Sequence, residues 1–173
     1  MNEALKEALS VALTYKKLPL PQGETNRVFS QIRPTTMVNW IDKDLVEWDT
    51  ERRDGRGIHR EYGFANLLQI ALVDEMTARD IPLSAIKHLM KNFYHGKEAG
   101  GHPRILSRIN DVALLVSMRK SKDNTYWNAH SVPLQEAWGW IQEGLEDFGF
   151  VHAIYMRRIF ESVKGYLKTG GIK

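Results

Sequence analysis

The stretch from Arg33 to Val46 constrains the fold most, because it combines a helix start with a strong apolar period. Pro34 fixes the backbone φ angle where the chain enters, and Thr35 or Thr36 can cap the first free N–H groups. Helical spacing turns four apolar residues toward a core: Met37, Trp40, Ile41 and Leu45. The outer side is left with Thr35, Val38, Asn39, Asp42 and Lys43. A short helix with small polar residues at its N-terminus fits a DNA major groove.

Residues 47–62 are predicted to form two short strands joined by a polar loop, since Gly55 and Gly57 permit the positive φ angles of a tight turn. The loop and its return strand carry the basic side chains Arg52, Arg53, Arg56, His59 and Arg60. Two amphipathic helices follow. The first is marked by Phe64, Leu67, Leu68, Ala71, Leu72 and Met76. The second, with Pro82 at its first turn, is marked by Leu83, Ile86, Leu89, Met90 and Phe93.

This order of elements resembles the MerR-type winged helix-turn-helix regulators over residues 24–93. The resemblance is carried by Thr36-Met37, Trp40, Leu45-Val46, Arg60-x-Tyr62 and Ile81-Pro-Leu-Ser-Ala-Ile86. It implies a first motif helix over 24–33 and double-stranded DNA as a partner. The implied DNA contacts are Arg33, Thr35, Thr36, Asn39, Lys43, Arg52, Arg53, Arg56, His59, Arg60 and Tyr62. The family usually carries arginines where Val38 and Asn39 stand, and glycine where Asp44 stands.

Composition narrows the function. The 173 residues include no cysteine, which excludes disulfides and thiolate sites, and the net charge is +3. The six histidines form no close metal-ligand pair, and no nucleophile or phosphate-binding motif occurs. We therefore expect no enzyme activity, metal or cofactor. The start of the chain lacks a signal-peptide pattern and no apolar run could span a membrane, so we expect a cytoplasmic, nucleoid-associated protein.

The predicted fold class is mainly α with a small β content: a winged helix-turn-helix followed by a small α/β (α+β) domain. Residues 1–23 are an amphipathic helix and linker, and residues 24–95 are the reader domain. Gly100, Gly101 and Pro103 mark a hinge at 96–103. Residues 104–173 form an effector or dimerisation domain. Its predicted elements are strands at 111–118, 125–132 and 150–156, a helix opened by Pro133, and a last helix over 157–168.

Tryptophans stand out in this last part. The helix after Pro133 has an apolar stripe on which Trp138 is expected to be core, formed by Leu134, Ala137, Trp138, Ile141, Leu145 and Phe148. Trp140 lies about 200° round the helix from Trp138 and so leaves the stripe. Trp127 and Trp140 are candidates for a ligand pocket or a subunit interface, with contact to the N-terminal helix as the alternative.

The function predicted is a sequence-specific transcriptional regulator acting as a homodimer, with a small molecule or a protein as a further effector. Two alternatives stay open. One is an excisionase-like architectural protein that bends DNA. The other is a protein-interaction or small-ligand module that has lost DNA binding. The latter is favoured by charge, because seven basic and seven acidic residues cancel across residues 25–62.

Overall fold

The computed structural model describes residues 18–47, 50–53, 58–93, 112–120, 125–147 and 150–169. These residues form a mixed α/β structure with six α-helices and two three-stranded antiparallel sheets. The first part contains β1 (Leu20–Pro21), α1 (Gln22–Val28), α2 (Pro34–Asp42), β2 (Thr50–Arg53), β3 (Ile58–Tyr62), α3 (Phe64–Thr77) and α4 (Leu83–Phe93). The second part contains β4 (Val112–Lys120), β5 (Thr125–Pro133), a 3-10 turn (Leu134–Glu136), α5 (Ala137–Asp147), β6 (Phe150–Tyr155) and α6 (Met156–Thr169).

The first sheet has the strand order β1-β3-β2, so β3 is its central strand. The predicted pair of strands is confirmed: Thr50 pairs with Glu61, and Arg53 pairs with Ile58. Strand β1 was not predicted, because two prolines and a glycine within 18–23 look only like a break in the chain. Pro21 is tolerated there because β1 lies at the edge of the sheet, where a missing N–H breaks no ladder.

The first two helices differ from prediction at their starts. The helix expected over 24–33 spans Gln22–Val28 instead, and the chain turns between Phe29 and Ile32. The predicted threonine cap of α2 is wrong. Arg33 is the N-cap residue and makes no side-chain cap bond; its carbonyl accepts the Thr36 N–H at 2.9 Å. Pro34, at the first helical position, needs no partner because it has no N–H.

Helices α2 and α3 end in the same way, with an aspartate in the left-handed backbone region. Asp44 has φ 56° and Asp80 has φ 58°. After α2, the Leu45 N–H reaches the Trp40 carbonyl at 2.8 Å and the Asp44 N–H reaches the Ile41 carbonyl at 2.9 Å. This bond pair is a Schellman cap, in which glycine is the usual left-handed residue. Asp44 thus occupies a backbone position that favours glycine.

One hydrophobic core joins the two parts of the chain. Helix α6 packs on α3, where the Phe64 and Phe160 rings meet edge-to-face with centroids 5.4 Å apart. Phe29 and Tyr166 make a similar contact at 5.8 Å. The inner face of the second sheet adds Leu114, Val116 and Ile154 to the same core. As a result α3 is buried nearly all round. The predicted hinge at 96–103 and the helix predicted before residue 18 lie outside the described residues.

The second sheet has the order β5-β4-β6, and α5 covers part of its outer face. A small cluster forms there from Ala113, Leu115, Val132 and Ala137. The prediction that Trp138 is a core residue is wrong, since 67% of it is exposed. Ala137 and Ile141 face the sheet as the predicted stripe requires. Trp138 lies about 100° round α5 from Ala137, at the flank of the stripe, and Leu134, also predicted to face inward, is 48% exposed on the 3-10 turn. No helix among the residues described above is long and apolar enough to cross a membrane.

Candidate nucleic-acid interface

Helix α2 has one buried and one exposed face. Met37, Trp40 and Ile41 are at most 2% exposed, as their spacing predicts. On the opposite face Val38 is 40% exposed, and four polar residues around it are exposed as predicted: Thr35, Asn39, Asp42 and Lys43. Arg33, at the entrance to the helix, is also exposed, and Thr36 is half-buried. The exposed face therefore offers the amide of Asn39, the hydroxyl of Thr35 and the methyl groups of Thr35 and Val38, with a cation at either end.

Tyr62 does not belong to this surface. It was predicted to contact DNA, but it is 0% exposed, and its hydroxyl donates a hydrogen bond to Oε1 of Gln22. Gln22 in turn donates from Nε2 to Oδ1 of Asn26 at 2.8 Å and to Sδ of Met37 at 3.3 Å. Burial raises the pKa of Tyr62 to about 12, against a smaller opposing effect of Arg60. Through these hydrogen bonds the buried Tyr62 side chain links β3 to α1 and α2.

Arg60 is turned toward α2. Its side chain is only 22% exposed, and its Nη2 atom lies 3.7 Å from Oδ1 of Asp42. A second pair links Lys87 Nζ in α4 to Oδ2 of Asp44 at 3.2 Å. Two carboxylates at the C-terminal end of α2 thus lie beside cations of the supporting elements. The two pairs partly neutralise the negative charge at the C-terminal end of α2. They also hold Arg60, which was predicted to contact phosphate, beside a carboxylate.

The hairpin of β2 and β3 carries the other predicted basic contacts. Its register places Arg52 opposite His59 and Arg53 opposite Ile58. The tip between the strands, with Arg56, lies outside the described residues. The structure therefore places the two strands of the predicted wing in one sheet with β1. This sheet lies next to α1, to which the Tyr62–Gln22 hydrogen bond joins it.

Gln69 positions the chain that leaves α2, and sequence reasoning missed it. It is fully buried in α3, and its Oε1 atom accepts the backbone N–H of Glu47 at 2.7 Å. A signal was available: Gln69 is the one polar residue within the apolar run from Leu67 to Val73. A buried amide at such a position is kept for a hydrogen bond. Here it holds the connection between α2 and the hairpin.

The two tryptophans proposed to share a pocket or interface lie on opposite faces of the second sheet. Trp127 pairs with Met118 and packs on the main core, half-buried. Trp140 belongs to α5 on the outer face, is 45% exposed, and stacks on His130 with centroids 6.1 Å apart. Only Trp140 thus remains a surface candidate.

The described residues hold no group of three or more His, Asp or Glu side chains placed to bind a metal ion. Neither a protein-family model nor a curated protein matches the chain.

Proposed function

We propose that this protein is a sequence-specific, double-stranded-DNA-binding transcriptional regulator that acts as a homodimer. One observation carries the proposal: α2 buries one face and presents Thr35, Val38 and Asn39 on the other, beside a two-stranded hairpin. A helix of this kind is the element that enters a major groove in helix-turn-helix proteins. The order α1, α2, hairpin, α3, α4 is also the order of a MerR-type winged helix, and its hairpin would be the wing.

The chemistry of the exposed face favours A·T base pairs. The Asn39 amide matches N6 and N7 of adenine, and the methyl groups of Val38 and Thr35 suit the thymine methyl. The usual guanine reader is a bidentate arginine, and this face has none near its centre. Arg33 and Lys43, at the two ends, would contact phosphates and set the register.

Electrophoretic mobility tests the proposal in two steps. Retardation of random duplex at low salt, weakening steeply as salt rises, is expected of phosphate contacts. Duplexes selected from a random pool should then be enriched in A·T pairs. On the selected site Asn39→Ala should cost about 1–3 kcal/mol, with little effect on random duplex. Gln142→Ala, which changes an exposed amide on α5, is the matched control. If the protein retards no duplex at low salt, the proposal that it binds DNA is wrong.

The Asp42–Arg60 pair favours a second candidate, an interaction module for a protein or small ligand, because it leaves the α2 surface close to neutral. The third candidate, an excisionase-like bending protein, shares the DNA contacts of the first. Circular-permutation mobility assays test it, since a bending protein retards a duplex most when its site is central, and a mobility that does not depend on the position of the site would exclude this candidate.

A further inference from the structure

Strand β5 (Thr125–Pro133) is the longest edge strand of the two sheets. It pairs with β4 through nine consecutive residue pairs without a bulge. The edge strands of the first sheet have features that discourage further pairing: β1 has two residues, one of which is Pro21, and β2 has four residues, three of them charged. Strand β5 contains no lysine, arginine or carboxylate, and its proline is the last residue. Its edge therefore lacks these protections.

The register of the ladder shows which backbone groups of β5 point away from β4. Residues of an antiparallel strand alternate between directing their N–H and C=O groups at the neighbouring strand and directing them away from it. Pro133, which has no N–H, pairs with Val112 and so belongs to the set that faces away. Trp127, Ala129 and Ser131 belong to the same set. Within the residues that the structure describes, the backbone groups of these three have no hydrogen-bond partner.

The side chains beside this edge define the pattern of a strand that would fit it. On the inner face of the sheet, Trp127 and Ala129 are half-buried against the main core, so the neighbouring side chains of an added strand would continue that core. On the outer face, Tyr126, Asn128 and His130 are exposed. An added strand therefore needs apolar residues at alternate positions, with polar or aromatic residues between them.

Charge adds a further requirement. Arg119 is exposed on the outer face of β4, directly opposite Tyr126, and it makes no ion pair within the described part of the chain. A carboxylate opposite Tyr126 on an added strand would lie two strand spacings from Arg119, roughly 10 Å between backbones, which an arginine and a glutamate side chain span together. A second copy of β5 has no carboxylate for this position. The edge therefore favours a segment of a different protein.

We propose that the edge of β5 binds an extended segment of a partner protein as a fourth, antiparallel strand of the second sheet. The segment alternates apolar and polar residues and carries a carboxylate near its C-terminal end, opposite Tyr126. Main-chain hydrogen bonds to Trp127, Ala129 and Ser131 supply affinity, and the alternate side chains supply specificity. The role of the segment as the effector of a regulator rests on the proposed function, whereas strand addition itself does not.

The probe is a synthetic nine-residue peptide in which valine alternates with threonine, with glutamate in place of one threonine near the C-terminus. Calorimetry measures its binding to the full chain. The N–H groups of the valines would face β5, so N-methylation of two valines should weaken binding by about tenfold or more, because two hydrogen bonds are lost. N-methylation of two threonines, whose N–H groups face away, should change binding less than about twofold. Equal effects of the two methylations, or no binding at about 1 mM peptide, would overturn the proposal.

The carboxylate is tested against Arg119. Arg119→Gln should lower the affinity for the glutamate peptide by about two- to fivefold and leave the affinity for a glutamine version of the peptide unchanged. Arg158→Gln, which changes an exposed arginine of α6, is the matched control and should leave both affinities as they are. An equal loss in the two variants would mean that the peptide binds elsewhere, which would also overturn the proposal.

Hydrogen exchange of single amides shows what covers the edge before the peptide is added. In the free, dilute chain the amides of Trp127, Ala129 and Ser131 should exchange faster than those of Asn128 and His130, which face β4, and the peptide should slow them. Slow exchange in the free chain would show that the chain covers its own edge. Slow exchange that appears only as the protein concentration rises would show that a second copy covers it. Either result contradicts the proposal, and neither bears on DNA binding, because no DNA is present.

Discussion

The Nη2 atom of Arg60 lies 3.7 Å from the Oδ1 atom of Asp42, and this pair joins the central strand β3 to the C-terminal end of α2. Asp42 is 60% exposed, so the pair stabilises the fold by at most about 1 kcal/mol. Its larger effect is on charge, because it sets a carboxylate at the edge of the proposed DNA surface and holds a guanidinium beside it.

Asp42→Asn should therefore strengthen binding to every duplex alike. The change removes a negative charge next to phosphate and one partner of Arg60, which should steepen the slope of log affinity against log salt by about one unit. Binding titrations at four or more salt concentrations measure the slope. Glu161→Gln makes the same change of charge on α6, where Glu161 lies 3.4 Å from Lys164, and should leave the slope as it is. An Asp42→Asn slope equal to that of the control would place Arg60 away from DNA.

Two tryptophans allow a direct comparison of burial. Trp40 on α2 faces the core and is 2% exposed, whereas Trp138 on α5 is 67% exposed. Trp40→Ala should lower the free energy of unfolding by about 3–5 kcal/mol, because it removes a large buried side chain and leaves a cavity. Trp138→Ala should change it by at most about 0.5 kcal/mol. Urea unfolding at a protein concentration where the chain is monomeric gives both values. Similar losses in the two variants would contradict the exposures.

The left-handed backbone at Asp44 predicts which of two variants is the more stable. Asp44→Gly and Asp44→Ala both remove the contact with Lys87, so they differ in the cost of a Cβ atom at φ 56° and in the greater freedom of glycine in the unfolded chain. The first effect favours glycine by about 1–2 kcal/mol and the second favours alanine by about 0.4–1 kcal/mol, so the glycine variant should be the more stable by about 1 kcal/mol. The difference in stability between the two variants is measured from their midpoints of chemical denaturation. If the alanine variant is as stable as the glycine variant, the backbone at this position is not left-handed.

Tyr62 predicts a loss of stability in alkali. Its pKa is raised from 10.0 to about 12 by burial, so the folded state keeps its proton after the unfolded state has lost it. The resulting stability is present below pH 10 and disappears as the pH rises toward 12. The drop should be roughly 2–3 kcal/mol, because one pKa unit corresponds to 1.36 kcal/mol.

The control for this prediction is Tyr62→Phe, which removes the titrating group. Unfolding free energies at several pH values from 9 to 12 should fall more steeply for the natural chain than for the variant. At pH 9 the variant should itself be less stable by about 1–3 kcal/mol, because Oε1 of Gln22 loses its buried donor. Parallel pH profiles would show that the phenol of Tyr62 ionises as freely in the folded state as in the unfolded one.

The apolar period of the sequence was enough to predict most elements, because burial on one face leaves a local signature. The helix at Pro34, the strands at 112–120 and 125–133, and the last helix all follow from such runs. The width of the buried stripe on α5 could not be predicted from its own residues. It depends on how the outer face of the second sheet meets the helix, which covers Ala137 and leaves Trp138, the next residue, exposed.

Contacts of the candidate site with residues distant in the sequence could not be predicted either. Tyr62 was expected to contact DNA because of the resemblance to the MerR-type regulators, yet a glutamine forty positions earlier holds its hydroxyl in the core. Arg60 looked like a phosphate contact, but its partner Asp42 comes from another element. The exposed face of α2 was predictable because its spacing is purely local.

The contact of Phe160 with Phe64 has a consequence for the order in which the protein is made. Helix α6 covers α3 but is translated after it. The apolar side of α3 is therefore exposed until α6 has been synthesised. A ribosome that stalls or terminates before residue 156 would release a chain in which the proposed DNA-reading half has an open core. Premature termination should therefore yield aggregates or protease substrates, and not a short protein that occupies DNA sites without regulation.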